Sequence, residues 1–196
     1  MRELRQVTGR AAVLDRADVD TDQIIPKQFL KRIERSGYGE FLFFDWMKDP
    51  GFQLNRPEYA DAKFLVTGRN FGCGSSREHA AWAIQQAGYD AVIAPSFGDI
   101  FRNNSLKTGL LPIQLPAQEV RALVELYEGG GELTVDLEAQ HLVTADGRTI
   151  PFEFDSFARE CILEGLDDVA LTLRREEAIA AYEETHEPRV RTTALA

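Results

Sequence analysis

The sequence has few cysteines and no excess of basic residues. Two cysteines in 196 residues, Cys73 and Cys161, are too few for a disulfide scaffold. Lys and Arg number 22 against 32 Asp and Glu, so the formal net charge is -10. A negative chain is a poor binder of nucleic acid or of an anionic membrane surface. We therefore expect no nucleic acid and no membrane among its partners.

Long apolar runs are also missing. No stretch approaches the roughly 20 apolar residues that cross a bilayer, and residues 1–5 lack the apolar segment of a secretory signal. The chain is 44% apolar and 28% charged, which is ordinary for a globular protein. These features predict a cytoplasmic protein with one domain over residues 1–187. Residues 188–196 are polar enough to form a flexible tail.

Three familiar functional motifs are absent around the most distinctive stretch, residues 71–80, FGCGSSREHA. The glycines there do not form the dinucleotide pattern GxGxxG, and neither a P-loop nor the nucleophile elbow GxSxG occurs. An apolar β-rich run precedes the stretch and a helix-forming run follows it. Ser75 and Glu78 have the spacing of a capping box, which predicts a helix that begins at Ser75. Such a helix start, with Arg77 beside it, attracts anions.

The remaining pattern predicts an α/β fold with a mainly parallel sheet, flanking helices and a small antiparallel β element. The glycine loop then lies at the carboxyl end of a strand, where open α/β sheets bind their ligands. Strands are predicted at residues 6–14, 63–68, 91–95, 110–115, 133–137, 141–144 and 149–154. Helices are predicted at residues 97–108, 119–127 and 176–184, and helical spacing with a break at Gly165 is predicted over residues 157–173.

Residues 26–36 carry a local excess of positive charge. Leu30 and Ile33 lie among these charges. The cluster could steer a small dianion into a cleft, or it could be a solvated basic face. The basic residues are Lys27, Lys31, Arg32 and Arg35, against Glu34 alone.

Three segments together resemble a known family. They are DTDQIIP at residues 20–26, GCGSSREHA at 72–80 and SFGDIFRNN at 96–104. In this order they resemble the swivelling domain of the aconitase superfamily, in the form of the small subunits of bacterial 3-isopropylmalate dehydratase. The likeness covers most of residues 1–185. It implies a hydro-lyase that interconverts 2-isopropylmalate and 3-isopropylmalate by dehydration and rehydration in leucine biosynthesis.

The resemblance also implies roles for individual residues. Ser75 corresponds to the base that removes a proton next to a carboxylate, and Ser76 to a contact with a substrate carboxylate. Arg77 would pair with a carboxylate and favour the serine anion. Asp22 corresponds to a position that hydrogen-bonds a histidine of the other catalytic component.

In the family, the loop that contains Leu30, Lys31 and Ile33 distinguishes the side groups of related substrates. An apolar pair beside positive charges suits a branched alkyl group on a dicarboxylate.

Arg102 is a further candidate for a polar role near the cleft. For Asp22 and Cys73, structural roles as a turn carboxylate and a packed thiol remain open.

The acidity of the serine limits what this chain can do alone. An alcohol is about as weak an acid as water, so its pKa lies far above neutral pH. A helix terminus lowers that by about 1.5 units, and a nearby guanidinium by about 1 to 3. The alkoxide stays several units above neutrality, so we expect activity only in a complex.

The resemblance supplies the missing component as a [4Fe-4S] cluster that acts as a Lewis acid. Such a cluster needs three or four cysteine ligands, and this chain has two. We therefore expect no cofactor or metal on this chain and a cluster-bearing large subunit as its partner, in a heterodimer or higher heteromer. A small dicarboxylate is the expected substrate.

Two alternatives remain open from the sequence. The chain could be the small subunit of a related hydro-lyase, such as homoaconitase or a citraconate (methylmalate) hydratase. It could also be an anion-binding module without catalysis. The second alternative predicts that ligand affinity survives the loss of the Ser75 hydroxyl.

Overall fold

The computed structural model describes residues 1–186, and within them seven strands form one sheet in the order β4-β3-β2-β1-β5-β6-β7. Strands β1 to β4 are parallel neighbours, and β5 to β7 continue the sheet in antiparallel pairs. The strands are β1 (Gln6–Leu14), β2 (Phe64–Thr67), β3 (Ala91–Ala94), β4 (Leu111–Gln114), β5 (Glu132–Asp136), β6 (His141–Val143) and β7 (Thr149–Pro151).

Strand β1 joins the two halves of the sheet because its sequence changes character along its length. Its first part is partly exposed and pairs antiparallel with β5 from Gln6↔Asp136 onward. Its second part is fully buried and pairs parallel with β2 from Ala11↔Phe64 onward. All four residues of both β2 and β3 are buried, as expected for strands covered on two faces.

Helices cover the parallel half. The helix α4 packs over β1, β2 and β3, and α2 packs against α3. The glycine predicted to end the helix before β4, Gly109, adopts a left-handed conformation there with φ of 85°. The helices are α1 (Thr21–Ile24), α2 (Glu78–Gln86), α3 (Asp99–Thr108), α4 (Ala117–Tyr127), α5 (Ser156–Leu163), α6 (Asp168–Leu173) and α7 (Glu176–Thr185).

The predicted α/β architecture is confirmed, and one helix prediction is corrected. The helix expected to begin at Ser75 begins at Glu78. The break predicted at Gly165 is confirmed, because α5 and α6 are separated there and the φ of Gly165 is 67°. The boundary at residue 187 and the predicted tail at 188–196 lie outside the described residues. No helix within residues 1–186 is long and apolar enough to cross a membrane.

The aromatic-rich segment between α1 and β2 folds as short 3-10 turns at Lys27–Lys31, Gly39–Phe41, Gln53–Asn55 and Pro57–Tyr59. Its aromatic side chains pack on one another instead of forming a regular element. The rings of Phe29 and Phe41 stack at 4.0 Å, and those of Phe43 and Trp46 at 5.5 Å. Phe43 is fully buried, so this segment belongs to the core.

Gly98 provides a test of how tightly the loops at the carboxyl end of the parallel strands pack. A Cβ at Gly98 would lie 2.5 Å from the carbonyl oxygen of Gly72. We expect Gly98→Ala to lower the free energy of unfolding by about 1 to 3 kcal/mol, because the backbone must move to relieve the overlap. Gly129→Ala is the control, since a Cβ at Gly129 meets nothing within 4 Å.

Urea denaturation of both variants measures the difference. We expect Gly129→Ala to stay within about 1 kcal/mol of the wild type. Equal stabilities for the two variants would contradict the close approach at Gly98.

Candidate functional site

The loop that follows β2 is held between the other two segments of the sequence signature. The Gly72 amide donates to the Val19 carbonyl at 2.8 Å, and the Thr21 amide donates to the Cys73 carbonyl at 2.9 Å. On the other side, the Gly98 amide donates to the Phe71 carbonyl at 2.9 Å. The three segments that carry the family resemblance therefore meet at the carboxyl end of β2.

Gly74 allows the loop to pass directly over the start of α1. Its φ is 94°, and a Cβ there would overlap the carboxylate of Asp20. Only glycine combines this conformation with this approach at little cost. The contact places the next two residues, Ser75 and Ser76, beside the start of α1.

Ser75 and Ser76 are both exposed. Within residues 1–186, neither hydroxyl makes a hydrogen bond, and the amide groups of residues 74–76 also have no protein acceptor. The loop thus presents hydroxyl and amide donors together toward solvent. Such a group of donors can bind a carboxylate or a developing oxyanion.

The predicted capping box at Ser75 and Glu78 is wrong. Arg77 is the N-cap residue of α2, with extended φ and ψ of -139° and 109°, and it makes no side-chain capping bond. Because α2 begins at Glu78, Ser75 lies outside its first turn. Because the helix dipole acts mainly within that turn, its effect on the Ser75 hydroxyl is weaker than the sequence suggested.

Arg77 and Asp22 form an ion pair across 55 positions of sequence. The guanidinium donates through both Nη atoms to the two carboxylate oxygens, and the Nη2–Oδ2 distance is 2.8 Å. The Arg77 side chain is 13% exposed and that of Asp22 is 49% exposed. This bidentate pair joins two predicted site residues and offsets the positive charge that was expected to act on Ser75.

The Cys73 thiol is a poor candidate for a nucleophile or metal ligand. Burial raises its pKa, and the carboxylates of Asp20 and Asp18 raise it further. The thiol therefore stays protonated near neutral pH, whereas the thiolate is the reactive and ligating form. Residues 1–186 contain no cluster of three or more His, Cys, Asp or Glu that could hold a metal ion.

His79 packs behind the loop against two aromatic rings. Its ring centroid is 5.2 Å from that of Tyr38 and 4.7 Å from that of Trp82. Burial lowers the pKa of His79, while Glu78 acts to raise it and Arg77 to lower it. Its position is that of a packing residue on the inner side of α2.

Two of the four basic side chains in residues 26–36 contact other residues and are not free to attract a ligand. Arg32 lies 3.4 Å from Glu40 and 3.7 Å from Glu34, and Arg35 lies over the ring of Trp82. Lys27 and Lys31 are left without an ion pair among the described residues. The local excess of charge is therefore smaller than the count predicted.

The predicted specificity residues occupy different environments. Leu30 packs partly against the core, Lys31 is exposed, and Ile33 is 95% exposed. No hydrogen bond or ion pair within residues 1–186 connects this segment to residues 75–77. An apolar side chain so open to solvent is available to contact a ligand or a partner.

Arg102 lies apart from the Ser75 loop. It is on α3, and it lines a cavity of about 770 Å³ together with Pro95, Gln114 and Phe152. That cavity lies beyond the carboxyl ends of β3 and β4, and no residue of the β2 loop lines it. The structure therefore brings together Ser75, Ser76, Arg77 and Asp22 and leaves Arg102 outside this group.

Sequence reasoning missed the structural role of residues 20–23. Asp20 caps α1, accepting from the Asp22 amide at 2.6 Å, while the Asp20 amide donates to Oε1 of Gln23 at 2.9 Å. This is the real capping box, and its D-x-x-Q spacing was the available signal. Thr21, which follows Asp20, is 1% exposed, and its Oγ1 donates a hydrogen bond to the Ser75 carbonyl.

Three family models match successive parts of the chain. A family model described as the aconitase C-terminal domain matches residues 1–118. A model described as LeuD_N matches residues 118–156, and one for the C-terminal domain of the 3-isopropylmalate dehydratase small subunit matches residues 168–189.

Curated proteins named 3-isopropylmalate dehydratase small subunit resemble most of the chain. The protein from Acidobacterium capsulatum is 51% identical over 95% of this chain and 92% of its own length. The one from Frankia alni is 56% identical over 91% of this chain and 92% of its own. A crystal structure titled 3-isopropylmalate dehydratase, from Methanocaldococcus jannaschii, is 31% identical with a TM-score of 0.68, covering 90% of this chain and 99% of that one.

The lowered pKa of His79 predicts a pH dependence of stability. Below the ordinary histidine pKa of about 6.5, the unfolded chain binds a proton that the folded chain resists. The free energy of unfolding should therefore be highest above that pH and fall as the pH decreases toward the folded pKa. His79→Phe keeps an aromatic ring between Tyr38 and Trp82 and should reduce this fall.

Urea denaturation of both proteins between about pH 5 and 8 measures the effect, since the histidine titrates in that range. The carboxylates contribute equally to both curves. Parallel curves for wild type and His79→Phe would show that His79 is not the titrating group.

Proposed function

The chain belongs to the family of 3-isopropylmalate dehydratase small subunits, and we propose that it supplies the serine base and the substrate-carboxylate contacts of that enzyme. The enzyme interconverts 2-isopropylmalate and 3-isopropylmalate by removing water and adding it back, a step in leucine biosynthesis. It acts in the cytoplasm, and this chain is active only when joined to the large subunit.

One observation carries the proposal. The exposed Ser75 hydroxyl lies in residues 74–76, whose amide groups make no hydrogen bond within residues 1–186, next to the paired side chains of Arg77 and Asp22. A base, a set of donors for a carboxylate and a charged pair are thus grouped on one exposed surface. This is what the removal of a proton next to a carboxylate requires.

Ser75 would take the proton, and Ser76 would donate to a substrate carboxylate through its hydroxyl and amide. Arg77 uses two of its five N–H donors on Asp22, so three stay available for a second carboxylate. Asp22 is half exposed and has unused acceptor capacity for a histidine of the large subunit. The ion pair therefore orients both side chains without exhausting either.

The serine needs help from the partner. The Arg77 charge is balanced by Asp22, and Ser75 lies outside the first turn of α2, so the hydroxyl remains a very weak acid. A [4Fe-4S] cluster on the large subunit would polarise the substrate hydroxyl as a Lewis acid. This chain cannot hold that cluster, because it has two cysteines and one of them, Cys161, is on α5, far along the chain from Cys73.

The segment of residues 27–35 would select the substrate side group. Ile33 is open to solvent, with Leu30 and Lys31 beside it, and a branched alkyl group could cover the exposed apolar surface. Lys31 and the more distant Arg102 would favour the approach of a dianion. The substrate is thus a small dicarboxylate with an apolar branch.

Replacing the base tests the main proposal. In the complex reconstituted with the large subunit, Ser75→Ala should lower kcat by at least about 1,000-fold, because the proton acceptor is gone. Ser156→Ala, at an exposed serine on α5, is the control and should leave kcat unchanged. Co-purification should show that both variants still bind the large subunit.

Turnover by Ser75→Ala at the wild-type rate would refute the assignment of the base. It would favour a non-catalytic anion-binding role for the loop. Turnover of isopropylmalate by the isolated small subunit would refute the need for a partner.

A substrate comparison tests the role of Ile33. Ile33→Ser should lower the ratio of kcat/KM for 2-isopropylmalate to kcat/KM for 2-methylmalate, which has a methyl in place of the isopropyl group, by about tenfold, the value of a lost apolar contact. The ratio is insensitive to weakened subunit binding, because that affects both substrates equally. An unchanged ratio would exclude Ile33 from the specificity pocket, and a wild-type preference for homocitrate would assign the chain to the related hydro-lyase.

A further inference from the structure

We infer that Thr21 is a positioning residue that sets the direction of the Ser75 hydroxyl. The inference rests on the proposed function, because it concerns the serine assigned there as the base. Thr21 is 1% exposed and lies on α1, 54 positions before Ser75 in the sequence.

Thr21 holds the loop at two carbonyl groups, those of Cys73 and Ser75. Its amide donates to the Cys73 carbonyl at 2.9 Å, and its Oγ1 donates to the Ser75 carbonyl at 3.1 Å. Within residues 1–186, the bond from Oγ1 is the only hydrogen bond made by any group of residues 74–76. The orientation of the peptide plane that follows Ser75 therefore depends on this one hydroxyl.

Thr21 can serve as a fixed support because α1 is itself anchored. Its capping box ties Asp20 to Gln23, and Ile24 and Ile25 have no exposed surface. The Phe43 amide donates to the Ile24 carbonyl at 2.8 Å, which attaches α1 to the aromatic core. A four-residue helix is not stable alone, so its rigidity comes from these contacts.

Holding the Ser75 carbonyl restricts the backbone of the loop around Ser75. Without that hydrogen bond, changes in ψ of Ser75 together with the neighbouring dihedral angles can move its Cβ relative to the bound substrate. A displacement of about 1 Å at a reacting group can reduce the rate by about 100-fold. Thr21 thus acts on the reaction through Ser75 without touching the substrate.

Two pairs of variants isolate the hydroxyl from the shape of the side chain. Thr21→Val keeps the shape and removes the hydroxyl, whereas Thr21→Ser keeps the hydroxyl and removes a methyl group. Thr21→Ala differs from Thr21→Ser by the hydroxyl alone, which keeps the test valid if the valine variant folds poorly. In the reconstituted complex, the variants without the hydroxyl should lose about 10- to 100-fold in kcat with little change in KM. Thr21→Ser should retain most of the activity.

A double-mutant cycle separates positioning from general structural damage. If Thr21 acts through Ser75, adding Thr21→Val to Ser75→Ala should not lower the residual rate further. Losses that multiply in the double variant would overturn the inference, as would a Thr21→Val complex with kcat within about threefold of the wild type.

Amide hydrogen exchange of the small subunit provides a measurement that does not depend on activity. The Phe71 and Gly72 amides, which donate to the carbonyls of Ser96 and Val19, should exchange faster in Thr21→Val and Thr21→Ala than in wild type and Thr21→Ser. Equal exchange in all four proteins would overturn the inference even if the serine is the base. An active Ser75→Ala complex would instead refute the proposed function, whatever the exchange rates are.

Discussion

The structure depends on the backbone hydrogen bonds that hold the loop after β2 between two other segments. The loop pairs with residues 19–21 on one side and with residues 96–98 on the other. These bridges extend the parallel order of the sheet beyond the end of the strand. They place the exposed donors of residues 74–76 at a defined position, although those residues have little structure of their own.

The charges around the site are arranged in pairs and do not form a strongly positive cleft. Arg77 is balanced by Asp22, Arg69 by Asp18, and Arg32 by Glu40. Paired side chains lose little freedom when a ligand arrives, so they orient a substrate well but attract it weakly from a distance. The chain alone has neither a strong base nor a strongly positive electrostatic potential at the site. This agrees with the proposed need for a metal-bearing partner.

The order of strands and helices could be predicted from the sequence because each element has a clear apolar period and a clear stop, such as Gly109 after α3. The three segments of the site could be recognised from their residues. The local geometry of these segments could not be predicted from the sequence. Ser75 and Glu78 have the spacing of a capping box, but Thr21 donates a hydrogen bond to the Ser75 carbonyl and the helix begins three residues later, at Glu78. The pairing of Arg77 with Asp22 depends on a contact between distant segments that no local pattern encodes.

The change of partner along β1 has a consequence for how the domain holds together. The parallel and the antiparallel halves share β1. Separation of either half therefore breaks hydrogen bonds between β1 and one of its neighbours, β2 or β5. Loss of β5 to β7 would expose one edge of β1 to solvent. Loss of β2 to β4 would expose the other edge. We therefore expect the two halves of the sheet to unfold together, and the loop that carries Ser75 to share their stability.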